Sequence, residues 1–402
     1  MVAQLDKIFD DFDKQSVFKN KHILQTNYSP EEIPHRDEQI KQIASILAPV
    51  LRGERTSNLF VYGKTGTGKT LSIQYVKNEL LKRSERNPDF KLRIEYLNCK
   101  LRKVSDTEYR ILAEIIKKLG GEVPITGLPT EAVYSKFIEI VDKEKQLLVL
   151  VLDEIDQAVK KISDGFLYNL TRLNSELSKA QLCVVGISND LTFLDNVDPR
   201  IRSSLSEEEI VFPPYNALQL QDILNKRSKD AFRDNIIQDG VIAKCAAFAA
   251  REHGDARRAL DLLRIAGELA ERDGSNKILV SHIDDANNKI ERDKILDVIT
   301  SEPKQFQIVL SSIIELAEKN KEPIFTGDVY NLYEDLCKRS GCERLTQRRV
   351  SDIVQEFDML GIINVKVISK GRGGRMREIR LAISKTITEK AKEIIKNSLN
   401  YG

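Results

Sequence analysis

Three glycines within six residues place the first constraint on this chain. Gly63, Gly66 and Gly68 stand in Gly63-Lys64-Thr65-Gly66-Thr67-Gly68-Lys69-Thr70, between the apolar run "LFVY" and the helical pattern that opens at Lys69. This is a complete G-x-x-x-x-G-K-[S/T] loop in the strand-to-helix setting that such a loop requires. Glycine lets the backbone turn with its amides facing inward, and the helix behind it adds the positive end of its dipole. The loop therefore predicts a nucleoside triphosphate site. Lys69 is expected to reach the β- and γ-phosphates, and the Thr70 hydroxyl to ligate Mg²⁺. A glycine turn without a ligand is the plainer alternative.

The run "QLLVLVLDEID" supplies the second half of such a site. Asp153 closes a strand apolar on both faces, where it would hold the metal through its water shell. Glu154 follows directly and is the natural group to activate an attacking water. Asn189 ends another apolar run, "VVGISND", at the carboxyl edge of a sheet, where ligands collect in such folds. In "GDARRALDLL", Arg257 and Arg258 open a helical pattern, against the preference of a helix start for negative charge. A residue set against its local preference often answers a distant partner, here the γ-phosphate. The alternatives are an ordinary strand-end asparagine and a solvated charged turn.

Five short apolar runs between Ser57 and about Pro213 alternate with helical patterns, so a parallel sheet covered by helices is expected. After Pro213 and Pro214 the pattern is helical only. A third change follows Ser301-Glu302-Pro303. The expected organisation is an N-terminal extension (1–24), an α/β base (25–213), a helical lid (214–298) and a terminal domain (299–402). No repeat or low-complexity segment interrupts it. The formal charge is only +2 across 402 residues, so a nucleic-acid footprint has to be local. No apolar run approaches the roughly 20 residues needed to span a bilayer, and the first residues lack the apolar stretch of an export signal. A cytoplasmic, nucleoid-associated protein without a membrane partner is expected. The five cysteines point to a reduced interior; Cys337 and Cys342 could bridge, but no second Cys/His pair completes a zinc set.

The terminal domain reads as three helices followed by a two-stranded hairpin and a last helix, the order of a winged helix-turn-helix. Its third helix, from Thr346 to Leu360, has Val350, Ile353, Val354, Phe357 and Leu360 at core spacing. Thr346, Gln347, Arg348, Arg349 and Asp352 are left nearer the exposed end, where arginine and glutamine can read bases or clamp phosphates. The hairpin "KVISKGRGGRMREIR" carries Lys366, Lys370, Arg372, Arg375, Arg377 and Arg380 against Glu378, a local charge of +5 (6 − 1). The DNA-contacting set expected from this is Thr346, Gln347, Arg348, Arg349, Lys370, Arg372, Arg375 and Arg377. A winged helix used only for protein contacts is the alternative.

The loop, "VLDEID", Asn189 and Arg257 together resemble the AAA+ ATPases over residues 25 to 297. The resemblance implies a sensor role for Asn189 and Arg257, and a nucleotide-contacting role for Pro34 and Arg36 of "PEEIPHRDEQI" and for Tyr215 of "FPPYNALQL". In "DPRIRSSL", Ser204 stands where that family commonly has an arginine finger, with Arg200 and Arg202 nearby. With the winged helix added, the chain resembles archaeal replication initiators related to the eukaryotic origin recognition complex and its helicase-loading partner. That implies ATP or ADP with Mg²⁺, slow hydrolysis acting as a switch, origin duplex DNA, a replicative helicase and paralogous initiator subunits as partners. It also implies a DNA-touching helical insertion, for which Leu101 to about Pro129 is the available segment; an ordinary crossover helix is the alternative there. A signalling ATPase that regulates transcription shares the phosphate loop and winged helix. A scaffold clamped by ADP, without turnover, is a third reading, against which the intact Glu154 argues.

Overall fold

The computed structural model describes residues 16–85, 90–100, 107–124, 127–205, 207–319, 323–369 and 375–399. The chain forms two compact units, one ending at Ile283 and the other beginning at Asp284. Among the described residues no helix is long and apolar enough to cross a membrane.

The first unit is built on five parallel strands in the order β2-β3-β4-β1-β5: β1 (Leu59–Gly63), β2 (Lys91–Asn98), β3 (Gln146–Asp153), β4 (Gln181–Ser188) and β5 (Glu208–Phe212). Every residue of β3 is buried. Its even-numbered leucines, Leu148, Leu150 and Leu152, enter one core, and Leu147, Val149 and Val151 enter another on the opposite face. That is why the run shows no alternation of apolar with polar residues: a strand covered on both sides has two apolar faces. Each such side chain contributes about 1.5–3 kcal/mol by leaving water. Helices α1 (Asp37–Leu47) and α2 (Lys69–Ser84) cover the odd face. The even face carries α3 (Glu108–Lys118), α4 (Thr130–Val141), α5 (Ile155–Ile162), α6 (Gly165–Arg172) and α7 (Pro199–Leu205).

The segment offered as a DNA-touching insertion contains α3. Its Ile111, Leu112, Ile115 and Ile116 are fully buried in the core on the even face, the packing of a crossover helix. Residues 101–106 and 125–126 of that segment lie outside the described residues.

The lid helices are α8 (Ala217–Ala231), α9 (Val241–Arg251) and α10 (Ala256–Arg272), followed by the long α11 (Val280–Ser301). Asn216 and Gln219 form a reciprocal capping box that starts α8 directly after the two prolines. The boundary expected at 298–299 falls inside α11, because nothing in that helix breaks it before Ser301.

The second unit contains α12 (Lys304–Glu318), β6 (Ile324–Phe325), α13 (Thr326–Ser340), α14 (Gln347–Met359), β7 (Ile363–Ser369), β8 (Arg375–Leu381) and α15 (Lys385–Leu399). β8 pairs antiparallel with both neighbours in the order β6-β8-β7. The third strand was not expected, since two residues are too few to show a period. Val350, Ile353, Val354 and Phe357 of α14 are buried with Phe306, Tyr333 and Ile379. Leu360 departs from the expectation. It sits at the C-cap, where the helix has ended, and is 40% exposed. All five cysteines are free thiols.

Candidate nucleotide site and winged-helix cleft

The alternation that buries β3 also sets the site. Val149 and Val151 face α2, so Asp153, two residues on, continues toward the start of that helix. There its Oδ2 accepts a hydrogen bond from Thr70 Oγ1 at 2.7 Å. Asn189 extends β4 on the same face, after Val185 and Ile187, and its Oδ1 accepts from Lys69 Nζ at 2.8 Å. Asp156 steadies that strand end by accepting from Ser188 Oγ at 3.0 Å. Glu154 has φ +55°, in the left-handed region, at a cost of about 1–2 kcal/mol. The turn lets β3 pass directly into α5 while Glu154 lines the cavity described next.

Gly68, with φ +90°, is the N-cap of α2, and Lys69 behind it is 4% exposed. Its ammonium donates to the Gly63 and Lys64 carbonyls, each at 2.8 Å. Burial brings its pKa down to about 8, with Asp153 opposing the shift and Arg257 adding to it. Over the loop stands the start of α10. Ala256 N donates to the Gly66 carbonyl at 3.2 Å, and Thr65 Oγ1 donates to Asp255 Oδ2 at 3.2 Å. Asp255 also caps α10 by accepting from the amides of Arg257 and Arg258.

Loop and lid enclose a cavity of about 640 Å³, within the range of small-molecule sites. One end is polar: Gly66 to Thr70, Asp153, Glu154, Asn189 and Arg257 line it. The other end is mixed: Tyr28, Ile33, Pro34, Ile223 and Leu260 stand there with Asn27, Glu31, Glu32, Lys226 and Asp230. Arg227 lies over the Tyr28 ring, 4.5 Å from its centroid, and closes that end. Tyr215 lines the cavity as expected of a contact residue, whereas Gly63, Lys64 and Thr65 are not part of its wall.

Arg36 is placed differently from the expectation. It is 2% exposed and stands behind the cavity wall. A buried guanidinium needs acceptors, and Arg36 finds backbone carbonyls: Nε donates to Thr67 O at 2.8 Å and Nη2 to Pro213 O at 2.6 Å. Its Cζ lies 3.8 Å from the Tyr215 ring centroid. Arg36 thus ties the phosphate loop to the start of the lid. Tyr96, Asn98, Tyr28, Arg227 and Asp255 were not singled out in the sequence. Tyr96 and Asn98 sit in an ordinary-looking strand. Tyr28 and Arg227 meet only through the tertiary fold, across 199 residues (227 − 28).

The terminal unit has its own cleft, of about 660 Å³, between the starts of α13 and α14 and the hairpin. Gln347, Arg348, Ser351 and Arg377 line it together with Thr326, Gly327, Phe325 and Val367. Arg377 reaches from β8 to α14, donating to Ser351 Oγ at 3.0 Å. Thr346 is the N-cap of α14, its oxygen accepting from Arg349 N. Arg349 pairs along its own helix with Asp352 at 4.0 Å and Glu356 at 3.6 Å, and Arg380 pairs with Glu378 at 2.6 Å. The Arg380–Glu378 pair accounts for the one acid already subtracted in the +5, and the Arg349 pairs lie on α14, outside that count. Lys370 and Arg372 lie outside the described residues, and of Arg375 only the backbone is described. In α7's neighbourhood, Arg200 pairs with Asp198 and Arg202 with Asp195, each at 3.0 Å.

A parallel sheet in this strand order, with a phosphate loop after β1 and an all-helical lid resting on that loop, defines an AAA+ protein, here carrying a winged helix. The AAA domain family matches residues 52–193, the Cdc6 AAA+ ATPase-type lid domain residues 221–288, and the CDC6 C-terminal winged helix domain residues 297–391. The ORC1-type DNA replication protein of Thermococcus onnurineus is 52% identical over 385 residues, covering 94% of this chain and 92% of that one. That of Pyrococcus abyssi is 51% identical, covering 94% and 91%. The Aeropyrum pernix ORC1 protein, solved in complex with DNA, superposes with a TM-score of 0.81 at 40% identity, covering 96% of this chain and 98% of that one. The chain belongs to the ORC1/Cdc6-type archaeal DNA replication initiators.

Proposed function

We propose that this chain binds and slowly hydrolyses ATP, that its winged helix grips origin duplex DNA, and that the nucleotide acts as a switch on that grip and on recruitment of a replicative helicase. Paralogous initiator subunits are the natural companions at an origin. The observation that carries the switch is the contact of the lid with the phosphate loop, through Ala256 N to Gly66 O and Thr65 Oγ1 to Asp255. A ligand that enters the loop has to be accommodated by the lid as well.

The donor set fits Mg²⁺. One hydroxyl and one carboxylate, Thr70 and Asp153, are hard oxygen ligands that leave the remaining positions to water and phosphate. Mg²⁺ would neutralise charge on the phosphates. Lys69 would hold the terminal phosphates, Asn189 orients Lys69, Glu154 would take the proton of the attacking water, and Arg257 would face the γ-phosphate from the lid. Gln347, Arg348 and Arg377 are assigned to the DNA interface on the strength of their shared cleft, with the basic hairpin beside them.

Footprinting on origin duplex, with the protein empty, ADP-filled and ATP-filled, tests the reading. Affinity or footprint should change between states by severalfold, and Lys69→Ala should abolish the response. An identical grip in all three states would sink the switch.

A further inference from the structure

Asp153 is held by three donors rather than the one that the phosphate loop supplies. Thr70 Oγ1 donates to its Oδ2 at 2.7 Å, and the Glu154 amide donates to its Oδ1 at 2.9 Å. The third is the phenol of Tyr96, which donates to Oδ2 at 2.6 Å. Register brings it there. Tyr96 pairs with Val151 and Asn98 with Asp153, so Tyr96 stands on the Asp153 face of the neighbouring strand, one pleat back. It is half-buried and lines the polar end of the cavity beside Asp153.

We propose that Tyr96 is a positioning residue for the nucleotide's Mg²⁺, acting through Asp153. The inference rests on reading the cavity as a Mg²⁺-nucleotide site. Thr70 has two tasks there, ligating the cation with its oxygen and donating its proton to Asp153. Tyr96 has one. It keeps Oδ2 fixed whether or not the Thr70 hydroxyl turns, so the carboxylate meets the metal's water shell without first having to reorient. Partners that orient a metal-binding carboxylate in this way are typically worth about tenfold or more in metal affinity. Phenylalanine at 96 would keep the ring packing and remove only the donor.

The test uses full-length protein and a fluorescent ADP analogue (mant-ADP) titrated at a series of MgCl₂ concentrations. Tyr96→Phe should raise the Mg²⁺ half-saturation of nucleotide binding roughly tenfold. Affinity in EDTA should stay at the parental value, and the melting temperature without Mg²⁺ should fall only by the loss of one hydrogen bond. Asp153→Asn in both backgrounds completes a cycle. If Tyr96 acts through Asp153, its effect on Mg²⁺ vanishes in the Asn background. An unchanged half-saturation in Tyr96→Phe, or an equal shift in both backgrounds, would overturn the proposal. A parent whose nucleotide affinity ignores Mg²⁺ would overturn the site reading itself, and this inference with it.

Discussion

Asp255 lies so close to Gly66 that a β-carbon there would sit 1.7 Å from a carboxylate oxygen. Gly66 also has φ +67°. Two independent demands therefore oppose any side chain at this position, and the first comes from the lid. Gly66→Ala should cost about 1–2 kcal/mol from backbone strain alone, and more because Asp255 has to move. Nucleotide affinity should fall at least tenfold. Asp255→Ala loses the α10 cap, worth about 1 kcal/mol, yet in the Gly66→Ala background it should restore part of the affinity by removing the clash. Calorimetric titration of the two single variants and the double decides the point. Strict additivity would mean that loop and lid do not meet here.

Lys69 sets the pH dependence. In the empty protein burial brings its pKa from the ordinary 10.5 to about 8. Below pH 8 both native and unfolded chains hold this proton, so the full cost of burying the charge is present. Between about 8 and 10.5 the native state releases it first, the unfolded state binds more protons, and this group's contribution to stability rises with pH. Nucleotide binding has the opposite sign. Phosphates favour the charged ammonium, so binding above pH 8 takes up a proton. Affinity should fall as pH rises past that value, approaching about tenfold per unit. Titrations in two buffers of different ionisation enthalpy at pH 9 should show net proton uptake. No uptake there would mean that Lys69 stays charged when the loop is empty.

The parts of this site that sequence alone made legible are those whose chemistry is written into local pattern. The phosphate loop, Asp153 at the end of a doubly apolar strand, and Asn189 at the next strand end each follow from a few adjacent residues. Arg36 was misplaced because a short motif cannot say whether an arginine faces the cavity or the backbone behind it; only the carbonyls of Thr67 and Pro213, far apart in the chain, decide that. Tyr96 was invisible for a related reason. An aromatic in a strand is ordinary, and its partner Asp153 is reached only through the register of β2 on β3. In the second unit β6 was too short to show a period, and Leu360 followed the helical spacing one residue past the helix.

Glu154 is held at the end of β3 by the backbone turn at φ +55°, beside Asp153 and in the cavity wall. As general base it should be dispensable for binding and needed for turnover. Glu154→Gln keeps the size and loses the proton acceptor, so ATP affinity should stay within about twofold. Hydrolysis should drop on the order of 10²–10⁴-fold, the usual contribution of a positioned base. Single-turnover hydrolysis with radiolabelled ATP separates the two quantities. Parental turnover in the variant would move the base elsewhere, with the carboxylates lining the same cavity as the next to be tested.

Arg348 and Arg377 share one cleft but are held differently, and that difference predicts different losses. Arg377 is tied to Ser351 at 3.0 Å, so its guanidinium is preorganised between the hairpin and α14. Each arginine that neutralises a phosphate adds about 0.9 to the slope of log affinity against log salt. Replacing either with alanine should flatten that slope by close to one unit if its contact is to phosphate. If the contact is to a base edge, affinity should instead drop by about 1–3 kcal/mol on the preferred site only. For Arg377 the first outcome is expected, because its bond to Ser351 holds its guanidinium between the hairpin and α14. Ser351→Ala should then reproduce part of the affinity loss without changing the slope, since the charge remains. Arg348 lines the cleft at the start of α14 and is expected to give the sequence-specific loss. Fluorescence anisotropy on a preferred and a scrambled duplex, at four salt concentrations, distinguishes the two. Parental slopes and parental specificity in both variants would remove this cleft from the DNA interface.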